Sequence, residues 1–143
     1  MDTYIHIING PSLNLIGSRE PSVYGTVTMD DIITSVRSRF ATRVDIRSSQ
    51  HNGEGQIIDT LQACAADPQC LGVVINAGAY SHTSLAIADA IRAINLPVVE
   101  VHLSNVFARE PIRHQGLVAA ACRGLIAGFG PDSYALAVDA LLK

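Results

Sequence analysis

Two short stretches leave this chain few folds to choose from: VVIN at positions 73–76 and PVVEVHL at positions 97–103. Each is apolar at consecutive residues rather than at alternate ones, although successive residues of a strand point to opposite faces. A half-exposed antiparallel sheet would put every second side chain into water. A parallel sheet covered by helices on both faces buries them all.

The rest of the chain supplies those helices. Apolar runs and amphipathic stretches alternate, with turn residues between them. Strands are expected at 4–8, 43–47, 71–75, 98–102 and 123–127. Helices are expected at 29–40 behind Thr28 as N-cap, at 55–66, at 83–94, and at 133–142 after Pro131. The pattern predicts an α/β, flavodoxin-like doubly wound fold with a five-stranded parallel sheet in the order 2-1-3-4-5. A chain of 143 residues with 48% hydrophobic content holds one substantial core, so residues 1–143 are read as one domain.

Composition closes off several chemistries. Nine arginines and one lysine are spread along a chain of net charge −3, with no basic stripe for nucleic acid. No apolar run approaches the roughly 18 residues that span a bilayer, and no leader-like segment is seen, so a cytoplasmic protein with no membrane partner is expected. The only lysine is the last residue, Lys143, which rules out a buried Schiff-base lysine and a P-loop lysine. There is no GxGxxG after the first strand, and no tryptophan to stack on a flavin. Cys64, Cys70 and Cys122 form no CxxC pair and read as buried free thiols. The five histidines make no metal-ligand pattern, so neither metal nor cofactor is expected.

In a doubly wound sheet ligands bind beyond the carboxyl ends of the strands, where the chain order reverses. Three strands end in polar residues there. The first runs into Asn9, Gly10, Pro11 and Ser12, the third into Asn76 and on to Ser81 and His82, and the fourth into His102, Ser104 and Asn105. Glu100 and His102, two apart on a strand, share a face. A carboxylate beside an imidazole favours the protonated ring, the form a general acid needs; the alternative is an ion pair that serves only packing. His82 is open in the same way, as a site residue or as a capping or core histidine. Arg109 and Arg113, four apart, share a face if their segment is helical and then suit an anionic substrate or a phenolate; the alternative is two solvated arginines. Asp89 reads as an exposed carboxylate unless a neighbouring subunit brings it to a site.

Tyr24 follows Arg19 by five residues in the run GSREPSVYG. A free tyrosine has a pKa of about 10, and each unit of depression requires about 1.4 kcal/mol of preference for the phenolate. A nearby guanidinium is one of the few sources of that preference. The alternative is a loop-anchoring tyrosine beside a surface arginine.

Four ordered blocks, NGPSLNLIGSREPSVYG from Asn9, EGQIID from Glu54, NAGAYSHTSLAIADAI from Asn76 and PVVEVHLSNVFAREPIRH from Pro97, resemble the type II 3-dehydroquinate dehydratases over nearly the whole chain. The resemblance implies a cofactor-free anti elimination of water from 3-dehydroquinate, giving 3-dehydroshikimate in the shikimate or quinate pathways. On that reading Tyr24 removes the proton beside the ketone, with Arg19 and Arg109 favouring its phenolate. His102, oriented by Glu100, protonates the departing hydroxyl. Asn76, His82 and Arg113 hold substrate hydroxyls, while the amides near Leu103 and Ser104, with the Ser104 hydroxyl, take the carboxylate. The loop carrying Arg19 and Tyr24 is expected to be a lid. The resemblance further implies trimers grouped into a homododecamer, with Asp89 reaching a neighbour's site.

One departure bears on rate. Ser12 stands where the family has an asparagine that helps hold a water against the enolate. Gly53 stands where the family commonly has histidine. Ser12 is the main support for a competing reading, a binding protein for dehydroquinate-like hydroxy acids without turnover. A flavodoxin-like cofactor carrier is more distant.

Overall fold

The computed structural model describes residues 2–17, 22 and 26–143. Five parallel strands form one sheet in the order β2-β1-β3-β4-β5: β1 Tyr4–Asn9, β2 Asp45–Gln50, β3 Cys70–Asn76, β4 Val98–His102 and β5 Gly124–Ala127. Among the described residues, four α-helices connect or follow them: α1 Met29–Arg39, α2 Glu54–Ala66, α3 Leu85–Ala93 and α4 Asp132–Leu141. The expected fold class and strand order are both present.

Each face of the sheet carries its own core. On one, Ile5, Ile7, Val74, Val99 and Val101 pack beneath α1 and α4 against Ile33, Phe40, Tyr134 and Val138. On the other, Ile8, Val73, Ile75 and Val98 pack beneath α2 and α3 against Ile57, Leu61, Ile87 and Ile91. Adjacent residues such as Val73 and Val74 therefore serve opposite cores, which is why the runs are apolar without alternation.

Local signals set the helix starts. Thr28 caps α1 reciprocally: its Oγ1 accepts from the Asp31 N–H at 3.1 Å, and the Asp31 carboxylate accepts from the Thr28 N–H at 3.1 Å. The third helix begins later than expected. Residues Gly78–His82 form a 3-10 turn, and Ser84 is the cap, its Oγ accepting from the Ile87 N–H at 3.0 Å.

The second strand is displaced most from its expected position. It covers Asp45–Gln50 instead of 43–47, because Val44 still belongs to the turn that closes onto Phe40. This edge strand is polar along most of its length, with Ile46 its one fully buried residue, and its register with β1 defines it: Tyr4↔Asp45 through Asn9↔Gln50. Hydrophobicity alone pointed to the wrong end of the segment.

Cys64 and Cys70 are buried free thiols as expected, and Cys122 is free and half-buried. Among the described residues, no helix is long and apolar enough to cross a membrane.

Candidate functional site

The chain order reverses at β1, whose neighbours are β2 and β3, so successive connections leave toward opposite faces and open a crevice at the carboxyl ends. Close approach of the two strand ends requires a glycine. The Gly10 N–H donates to the Asn76 carbonyl oxygen at 2.7 Å, and a Cβ at position 10 would lie 2.6 Å from the Ala77 backbone. Past β3, Gly78 turns the chain with φ +61°, a conformation that side chains disfavour.

A cavity of about 120 Å³ occupies this crevice. Ser12 enters it from the end of β1, Asn76 and His82 from the end of β3, and His102, Leu103 and Ser104 from the end of β4. Arg109 and Arg113 close the remaining side. Their reason for meeting differs from the expected one. The segment is two 3-10 turns, Val106–Ala108 and Pro111–His114, with Arg109 extended between them, so no continuous helix aligns the two arginines.

The pairing of Glu100 with His102 is present. His102 Nε2 lies 2.8 Å from Glu100 Oε2, with the carboxylate 2% exposed. A carboxylate accepts, so Nε2 carries the proton and Nδ1 is the remaining ring nitrogen. The other carboxylate oxygen, Oε1, has no hydrogen-bond partner among the described residues. Burial, and then the Glu100 charge, pushes the nearby Cys122 thiol up to about 12, so this cysteine stays protonated.

His82 stacks on His102, ring centroids 6.0 Å apart and planes 17° from parallel. Its Nδ1 donates to the Gln115 carbonyl oxygen at 2.8 Å, which leaves Nε2 as its unprotonated nitrogen when the ring is neutral. The cations are positioned by Glu110. Its carboxylate accepts from Arg113 Nε at 3.2 Å and lies 3.8 Å from Arg109 Nε. A hydrogen bond to its own backbone amide, and then the Arg113 contact, hold that carboxyl below its usual range.

One expected residue lies elsewhere. Asp89, on α3, is 68% exposed at its side chain and pairs with Arg92 at 3.6 Å, apart from the cavity lining. Arg19 and Tyr24, with the lid expected around them, fall outside the described residues. Among the described residues no cluster of His, Cys, Asp or Glu could hold a metal.

Sequence reasoning missed Tyr134. Its hydroxyl joins Asn76 to Asn9 beneath the cavity floor, and the signal was a tyrosine on the apolar face of a helix, whose buried hydroxyl needs a partner.

The chain is similar to several known proteins over nearly its whole length. A 3-dehydroquinate dehydratase of Azorhizobium caulinodans is 49% identical over 142 residues, covering 99% of this chain and 95% of the relative. One from an Exiguobacterium species is 51% identical over 97% of this chain and 94% of its own length. Among solved structures, the type II dehydroquinase of Butyrivibrio crossotus superposes with a TM-score of 0.94 at 36% identity, covering 99% of this chain and 98% of its own. That of Propionibacterium acnes gives 0.92 at 39% identity, covering 99% and 97%. The family described as dehydroquinase class II is matched over residues 3–142, and the chain belongs to it.

Proposed function

We propose that this chain, acting as one catalytic domain over residues 1–143, is a type II 3-dehydroquinate dehydratase that removes water from 3-dehydroquinate by anti elimination. The observation that carries the reading is the cavity at the ends of β1, β3 and β4, where a buried carboxylate–imidazole pair and two guanidiniums converge.

The chemistry needs a base for a proton alpha to a ketone, stabilisation of the enolate, and an acid for the leaving hydroxyl. Tyr24 is the base in this reading, with Arg19 and Arg109 favouring its phenolate. Loss of the proton and shift of the electron pair onto the ketone oxygen gives the enolate. Its collapse expels the C1 hydroxyl, which takes a proton from His102 and leaves as water, giving the conjugated enone of 3-dehydroshikimate. Glu100 orients the imidazole and balances its charge while it is protonated. Asn76, His82 and Arg113 grip substrate hydroxyls, and the Leu103–Ser104 backbone with the Ser104 hydroxyl receives the carboxylate. No step requires a cofactor.

Asp89 serves a neighbouring subunit in this reading, within a homododecamer built from trimers. Its exposure and its distance from the cavity of its own chain support that assignment. Sedimentation velocity decides the assembly size.

The test is the growth of conjugated-enone absorbance when the purified protein meets 3-dehydroquinate, with Tyr24→Phe run beside it. Growth with wild type that nearly vanishes in the variant supports both reaction and base. Saturable binding without any absorbance change would favour the binding-protein reading, whose main support is Ser12 in the cavity wall.

A further inference from the structure

Asn76 ends β3 and Asn9 ends β1, and they are register partners across the switch point, both on the face covered by α4. Tyr134, in the first turn of α4, is wholly buried and spans them from below. Its hydroxyl donates to Asn9 Oδ1 at 2.6 Å and accepts from Asn76 Nδ2 at 2.9 Å. The other end of the Asn76 carboxamide is also taken, since its Oδ1 accepts from the Gly78 N–H at 3.2 Å.

Counting protons makes the chain directional. A phenol has one proton, and here it goes to a carbonyl oxygen that can only accept. Tyr134 must therefore accept from Asn76, which allows only the NH₂ end of that carboxamide to face it. One N–H of Asn76 is engaged and, among the described residues, one is left, on a side chain that lines the cavity. Burial keeps the phenol far above its usual range, so the donor persists at any working pH.

We propose that Tyr134 is a positioning residue: by fixing the orientation of the Asn76 carboxamide it makes that residue present an N–H donor, and not an acceptor, to a hydroxyl oxygen of the substrate. This rests on the function proposed above. It also specifies what this part of the cavity reads, a lone pair on the ligand, and disfavours ligands that need an acceptor there.

The test is a double-mutant cycle on 3-dehydroquinate turnover with Tyr134→Phe, Asn76→Ala and the pair. Tyr134→Phe keeps the ring and removes only the bridge. A contact that holds substrate and transition state alike changes KM alone, so KM should rise about tenfold with kcat within about twofold. In the Asn76→Ala background the same change should alter KM by less than about twofold, because its effect passes through Asn76. An unchanged KM in Tyr134→Phe, or effects that multiply in the double variant, would overturn the proposal.

If Tyr134→Phe fails to fold, Asn9→Ser, which takes the amide acceptor from the phenol proton, should give the same KM rise, and an unchanged KM again overturns the proposal. A second readout needs no substrate. The Asn76 side-chain amide should give a resolved, slowly exchanging proton pair by NMR in wild type and an averaged one in Tyr134→Phe. Absence of turnover by wild type would overturn the proposed function and the substrate half of this inference, while the amide signals still decide the positioning half.

Discussion

Glu100 and His102 stand two residues apart on β4, on one face of the strand, with Oε2 of the glutamate 2.8 Å from Nε2 of the imidazole. A carboxylate that is 2% exposed has lost most of its hydration, and among the described residues the imidazole is its one hydrogen-bonding partner. Such a pair survives only where the charge is used or compensated. Its value to turnover and its value to stability can be separated.

Glu100→Gln keeps the shape and a carbonyl acceptor while removing the charge. We expect kcat to fall between about tenfold and a hundredfold, the range seen when a carboxylate that orients a metal-bound histidine is lost. The melting temperature should hold or rise, because a buried charge has been neutralised. Steady-state kinetics beside calorimetry decide it: a full kcat with a lower melting temperature would mean the pair serves packing alone.

Ser12 has φ 65° and is the only non-glycine with positive φ among the described residues. Asparagine adopts that left-handed region at less cost than serine, since its side chain bonds locally. Ser12→Asn should therefore raise unfolding stability by about 0.5 kcal/mol and, if asparagine restores the water at the enolate, speed elimination. The urea midpoint and kcat report the two effects independently. A rate that stays level or drops defeats the catalytic half.

Gly10→Ala places a methyl group 2.6 Å from the carbonyl carbon and oxygen of Ala77, where backbone has to move. Overpacking of this kind costs about 1–3 kcal/mol. Because the displaced backbone joins β1 to β3 directly under the cavity, KM should rise with it. A urea titration showing wild-type stability would mean that the two strand ends separate freely.

His6 lies on β1 with its Nε2 2.8 Å from Ser49 Oγ, and its pKa is lowered from 6.5 to about 4, by burial first and then by the positive charges of His51 and Arg47. The folded value is below the unfolded one, so between the two the unfolded chain binds more protons and stability rises with pH. The contribution is present in full above pH 6.5 and is lost as pH falls toward 4. With partial exposure taken into account it amounts to on the order of 2 kcal/mol. Urea midpoints at pH 7.5 and 4.5 measure it, and His6→Gln should flatten the difference. An equal slope in the variant would assign the acid sensitivity to other groups.

Much of this site is legible in the sequence. His102, Ser104, Asn76 and Ser12 follow buried strands, and the end of a buried strand in a doubly wound sheet is a known address. The sharing of a face by Glu100 and His102 needs only the two-residue period of a strand. Arg109 and Arg113 were identified for a reason that did not apply, since helical spacing is absent and two tight turns bring them to one cavity.

What the sequence determined by itself is the class of fold and the strand ends that matter, because burial on both faces of a sheet leaves continuous apolar runs that no half-exposed structure tolerates. Three matters belonged to the tertiary structure. The polar strand β2 is defined by its pairing with β1 and carries no apolar pattern to announce it. The left-handed turn at Ser12 is held by a distant segment, the Ser12 N–H donating to Asn52 Oδ1 at 3.1 Å. The hydroxyl of Tyr134 meets Asn9 from 125 positions away. Period and propensity act over a few residues, whereas a hydrogen bond between distant segments exists only once the layers have packed.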